Sequence, residues 1–265
     1  MISEEFDMSI YSYQDMERDM PLIIQGPTTY CREVVEYYKN YNQVWSTWNS
    51  EPEENLDFLS KQKNVHLVLD DLPVIAEYKL QNLTEHAAWT LQRSTYQFTS
   101  TLNGFRYADK NFDAYFAPKI RSDLLIDVAT ATHKSEPEAF NCLGWHNGSV
   151  GYLIDYYFMA PIDDIITLME GCLSLSHPSH SENVMTYFLL EKMKQRNIRY
   201  CFDHTVYTYS LKHKYTTELF LGEISKGKWL IDENQKHQSQ NFNHSFSKDN
   251  LPDIYPLTYG WGPGV

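Results

Sequence analysis

Lys119, Arg121 and Asp123 lie on one stretch, Asp113-Ala-Tyr-Phe-Ala-Pro-Lys-Ile-Arg-Ser-Asp-Leu-Leu-Ile126, in which apolar and aromatic residues run into two cations and a carboxylate. Such a set can hold a phosphate together with a divalent ion, because Mg²⁺ and Mn²⁺ favour carboxylate and phosphate oxygens. The pattern fits a buried strand that delivers charges to the mouth of a site. Solvated charges at an ordinary strand end give the same pattern. Asp123 lacks the first acid of an Asp-x-Asp pair, since Arg121 stands two residues before it.

Asp155 is the sharpest single residue. It interrupts the apolar run Val150-Gly-Tyr-Leu-Ile-Asp-Tyr-Tyr-Phe-Met159. A carboxylate there must be paired, hydrogen-bonded or facing a cavity. That position suits a general base, and a structural acid bonded to backbone groups would suit it equally. Glu182, in Ser181-Glu-Asn at the start of a predicted helix, is the second candidate base. His177 and His180, on either side of Pro178, offer further ring nitrogens on a loop. The chain contains no HExxH, GxSxG, GxGxxG, Walker or CxxC motif, which turns the reading away from zinc proteases, serine hydrolases, dinucleotide dehydrogenases and P-loop kinases.

These residues need elements to position them. Pro21–Gln25 is a short buried strand stopped by Gly26-Pro27, and Thr28 or Thr29 is placed to cap a helix over 30–40. Gln43–Thr47 reads as a second strand, Glu53–Gln62 as a helix, and Val65–Leu69 as a third strand ending at Asp70-Asp71. Helical spacing of Ala88, Leu91, Thr95, Phe98 and Leu102 predicts a long helix over 85–108, followed by a strand that ends at Lys119. Alternation of this kind predicts a largely parallel sheet with crossover helices, which binds ligands beyond the carboxyl ends of its strands. Gln25–Thr28, Thr47–Asn49, Asp70-Asp71 and Lys119–Asp123 all fall at such ends. Further on, 150–159 reads as a strand, Pro161 opens a helix through Met169, and Ser181 opens another through about Lys194. Residues 199–265 read as short strands and loops.

The composition narrows the class. With 265 residues, 42% hydrophobic and 22% charged, the chain suits one generous α/β domain. We expect an arm over 1–20, an α/β core over 21–195 and a C-terminal elaboration over 196–265 packed on the same domain. A net charge of −13 argues against nucleic acid as a partner, but local cations can still hold a nucleotide. Four scattered cysteines fit reduced thiols. The acidic N-terminus does not have the order of a signal peptide, and no apolar run approaches a membrane span, so a cytoplasmic protein without membrane insertion is expected.

Taken in order, several blocks resemble the WavE-type lipopolysaccharide-synthesis family of glycosyltransferases. They are Ile24-Gln25-Gly26-Pro27-Thr28, Ser46-Thr47-Trp48, Gln97-Phe-Thr-Ser100-Thr101-Leu-Asn-Gly104, Lys119-Ile-Arg121-Ser-Asp123, Asp155-Tyr-Tyr-Phe with Asp163-Asp164, and Ser181-Glu182-Asn. Tyr96 stands where the family pattern has a basic residue, and Arg93, one helical turn earlier, is placed to substitute. Pro161 replaces a small-residue loop, and no block matches within 196–265, where acceptor choice is expected to reside.

The resemblance implies a GT-A-like (Rossmann-like) fold, a nucleotide-sugar donor and a glycan or other hydroxyl acceptor. On that reading Gln25, Gly26, Pro27, Thr28, Thr47 and Trp48 hold the nucleoside, with Arg93 and Gln97 beside them. Lys119 and Arg121 meet the leaving diphosphate, a divalent metal (Mn or Mg) sits on Asp123, and Asp155 or else Glu182 takes the acceptor proton. A phosphoryl or nucleotidyl transferase, and a non-catalytic nucleotide- or carbohydrate-binding module, are the rival expectations.

Overall fold

The computed structural model describes residues 20–81, 83–133, 135, 139–147, 150–194, 198–200, 208–212 and 215–216. The expected arm and most of the C-terminal elaboration lie outside them. Pro21–Gln25 (β1) is a strand with four buried residues in a row, as a central parallel strand covered on both faces requires. Asn42–Trp48 (β2) and Val65–Asp70 (β3) continue the sheet on one side of β1, and Phe116–Arg121 (β4) pairs with β1 on the other. All four are parallel. Val150–Pro161 (β7) then lies antiparallel to β4, Phe140–Asn147 (β6) antiparallel to β7, and Ile198–Tyr200 (β8) parallel to β6. The order is β3-β2-β1-β4-β7-β6-β8, in which β7 is the one strand of this sheet that runs against the rest. The sheet is therefore mixed and largely parallel, with helices on its two faces, in a Rossmann-like arrangement. β8, from beyond residue 195, is the edge strand of this sheet.

Cys31–Tyr37 (α1) and Glu53–Ser60 (α2) cover one face, where Leu22, Ile24, Trp45, Val34 and Leu59 share a core. Alternation along β1 sends Ile23 to the other face, with Phe98 and Phe105 of a long helix, Glu85–Asn111. Glu77–Leu80 (α3) precedes that helix, α4. The Thr84 hydroxyl caps α4, accepting from the Ala87 amide at 3.2 Å. Gly104 lets α4 press close to the sheet, because a β-carbon there would lie 2.7 Å from Ile23 Cγ2. Phe105 stacks against Phe158 of β7 with centroids 6.3 Å apart, and truncating this buried ring would cost about 3–5 kcal/mol.

Leu124–Ile126 (β5), directly after β4, starts a second sheet with Thr208–Ser210 (β9) and Tyr215–Thr216 (β10). Val128–His133 (α5) follows β5. Ile162–Leu175 (α6) runs longer than expected and ends at Ser176, whose φ of 45° is left-handed. Ser181–Tyr187 (α7) does not continue to 194 as a regular α-helix but turns into a π-helical segment, Phe188–Lys192. The Phe188 ring there rests on Gly171, where a β-carbon would meet Phe188 Cζ at 1.9 Å. No helix among the described residues is long and apolar enough to cross a membrane. Cys31, Cys142 and Cys172 are buried.

Candidate acid–base site at the carboxyl edge of the sheet

From β1 the chain steps one way to β2 and β3, and it returns on the other side as β4. The crevice at the carboxyl ends of β1 and β4 is thus the point where strand order reverses, the usual ligand position in open α/β sheets. Gln25 is in register with Arg121, and the Ser122 amide donates to the Gln25 carbonyl at 3.0 Å. Gly26 has φ of +131°, and a β-carbon on it would lie 2.6 Å from Ser122 Oγ. Glycine is required here on both counts.

Thr28 does not cap α1. The residue at the cap position is Tyr30, which contributes no side-chain bond. Glu51 instead accepts from both the Thr28 amide (2.8 Å) and its hydroxyl (2.7 Å), and Asn55 donates to the Thr28 carbonyl at 3.2 Å. This tie to the loop after β2 fixes the Gln25–Thr28 turn, and it overrides the local capping preference because it satisfies two donors with one charged acceptor.

The charged centre lies between β4, β7 and α7. Arg121 makes a two-point contact with Asp123, Nε to Oδ1 at 2.9 Å and Nη2 to Oδ2 at 2.8 Å. Its Nη1 stands 3.5 Å from Asp155 Oδ1. The guanidinium also lies over the Tyr156 ring, 5.2 Å from its centroid, and keeps 32% of its side chain exposed. Burial works against the Arg121 charge, but Asp155 and Asp123 more than offset it and raise its pKa above the ordinary value.

Asp155 reaches this position through an irregularity. Between the pairs Cys142↔Phe158 and Gly144↔Leu153, β6 advances two residues while β7 advances five, so Ile154–Tyr157 bulge from the ladder. Bulges re-aim side chains in this way. Asp155 is 4% exposed, and among the described residues its Oδ1 has no hydrogen-bond donor. Glu182, in the first turn of α7, joins it and accepts from the Ser181 hydroxyl at 3.0 Å. Burial, and then the Asp155 charge, push Glu182 up to about 7 against the pull of its own backbone bond, Ser181 and Arg121. Burial raises the Tyr156 phenol as well.

Other expected site residues are placed differently. Lys119 is fully buried behind the charged centre, donating from Nζ to the Asp155 carbonyl, so it does not stand at the mouth beside a diphosphate. Asp123 does not fit a divalent ion as its single carboxylate ligand. Both of its oxygens already accept from Arg121, whose charge a metal would have to face. Arg93 is exposed and lies over Trp89, 4.6 Å from the ring centroid. Gln97 is half-buried on α4, Pro27 is exposed, and Thr47 is buried with its hydroxyl unpartnered among the described residues. Trp48 is buried edge-on to Tyr96 with centroids 5.8 Å apart. Sequence reasoning missed Ser122, Tyr156 and Ser181, each adjacent to a residue it singled out. It also missed Glu51, whose partner lies 23 positions away.

No protein-family model matches this chain, and no curated protein matches it.

Proposed function

We propose that the chain is a GT-A-like glycosyltransferase that moves a sugar from a nucleotide-diphospho-sugar to a hydroxyl acceptor. One observation carries the reading: Arg121, Asp155 and Glu182, from β4, β7 and α7, meet at the carboxyl edge beside the crevice between β1 and β4. Two neighbouring acids, Asp155 buried and Glu182 half-buried with its proton affinity lifted towards neutrality, suit removal of a proton from a hydroxyl. In the proposed reaction the acceptor O–H gives its proton to this pair. The acceptor oxygen bonds to the anomeric carbon as the bond from that carbon to the diphosphate breaks. The diphosphate leaves with the bonding electrons, and Arg121, the partly exposed cation, faces the growing charge. The Gln25–Thr28 turn, held by Glu51, lines the nucleoside side.

Phosphoryl transfer is served less well, because it needs cations free to clamp the transferred group. Here Lys119 is buried on a carbonyl, which leaves Arg121 alone of the two to face a phosphate. The test is incubation with a panel of nucleotide sugars and hydroxyl acceptors. Release of nucleoside diphosphate matched by glycosylated product is the expected result. Binding without turnover would leave a carbohydrate- or nucleotide-binding module, and acceptor phosphorylation would favour the rival enzyme.

A further inference from the structure

We infer that Lys119 is a positioning residue for Asp155: its buried ammonium holds the carbonyl that the β7 bulge turns out of the ladder, and so sets where the carboxylate stands against Arg121 and Glu182. The inference deepens the proposed acid–base pair and rests on it. Lys119 is 0% exposed, in the middle of β4, on the face that carries Ala117. Packing alone would favour an apolar side chain there, since an enclosed ammonium is costly unless its donors are used. Nζ donates to the Asp155 carbonyl and lies 5.3 Å from the centre of the Phe158 ring.

The register explains why a donor is needed at this point. β4 and β7 pair regularly from Phe116↔Pro161 to Ile120↔Tyr157, while β6 loses step with β7 beyond Phe158. A carbonyl in the bulge lacks a ladder partner and must find another donor. With Lys119 in place the Asp155 backbone is pinned, and its side chain can point only towards the guanidinium. The charged groups that act on the ammonium are Asp155 on β7, Arg121 at the end of β4, Asp123 just beyond it, and Glu182 on α7. Burial lowers the Lys119 pKa to about 8, with the Asp155 charge opposing the shift.

The test follows the Glu182 side-chain carboxyl by carbon-13 NMR against pH in the native protein, in Asp155→Asn and in Lys119→Met. The native midpoint is expected near 7. It should fall in Asp155→Asn, which removes the neighbouring charge. In Lys119→Met it should also fall, by about half as much or more, because an unpinned Asp155 moves off. Loss of a cation by itself acts in the opposite direction, so an unchanged or higher midpoint in Lys119→Met overturns the inference. If that variant does not fold, the native protein still decides. The Asp155 carbonyl carbon should shift with the same midpoint as Lys119 deprotonation, and a carbonyl silent through that range overturns the inference. None of these titrations uses donor or acceptor. A failed transfer reading would therefore appear separately, as absent turnover with the titrations as expected.

Discussion

Gly26 and Ser122 interlock: the hydroxyl of Ser122 occupies the space that any side chain at position 26 would need. The turns after β1 and β4 are therefore one unit, joined also by the bond from the Ser122 amide to the Gln25 carbonyl.

Gly26→Ala should destabilise the protein by about 1–3 kcal/mol, from a left-handed backbone and a steric clash together. Adding Ser122→Gly should recover the clash but not the backbone strain. Urea unfolding of the two single variants and the double variant checks this, and full additivity would show that the two turns do not touch.

Glu182 gives the stability a pH signature. Its folded pKa, about 7, lies above its ordinary value of 4.5, so between these values the unfolded chain releases the proton first. The contribution is fully present below 4.5 and is lost as pH rises through 7. Glu182→Gln should flatten this decline in melting temperature. Lys119 acts in a higher window: with its pKa lowered from 10.5 to about 8, its burial penalty is present below 8 and is relieved as pH rises towards 10.5. Melting curves from pH 4 to 10 on the native protein, Glu182→Gln and Lys119→Met separate the two.

Asp155→Asn keeps the volume and removes the proton acceptor. Transfer per folded molecule should fall by roughly 10²–10⁴-fold with donor affinity little changed. A variant that melts early but transfers at the native rate would assign Asp155 to structure and leave Glu182 as the base.

Asp123→Asn removes the charge that Arg121 holds at two points. Because that pairing leaves poor ligation for a metal, transfer by the native protein should persist in excess EDTA, while Asp123→Asn should weaken donor binding by releasing Arg121 from its fixed pose. Loss of transfer in EDTA, restored by Mn²⁺, would return the metal to Asp123.

Strand and helix periodicity made the parallel half of the sheet legible. Ile23, Val44 and Ala117 are packed as their strands predict, and the long helix lies where Leu91, Phe98 and Leu102 placed it. Asp155 was legible because an acid in an apolar run needs a reason. The direction of β7 was not, since nothing in a strand's own residues states which neighbour it will pair with. The role of Lys119 was hidden for a related reason. A lysine after an apolar run reads as a strand end, and only the register reveals that two residues of strand follow it. Thr28 misled because its local capping propensity is weak against a charged acceptor brought near by the fold.

The lone reversed strand also bears on how the molecule comes into being. β1 to β3 form a contiguous βαβαβ unit, whereas β4 must enter between β1 and a strand that comes later in the chain. Non-local pairing of this kind is slow, because the intervening loop has to close before any contact rewards it. The site lies on that seam and should be the last region to acquire protected amides. Pulse-labelled hydrogen exchange during refolding should find β1–β3 shielded while β4 and β7 are still open, so a chain stalled at that stage would have a partial core with Arg121 and Asp155 still apart.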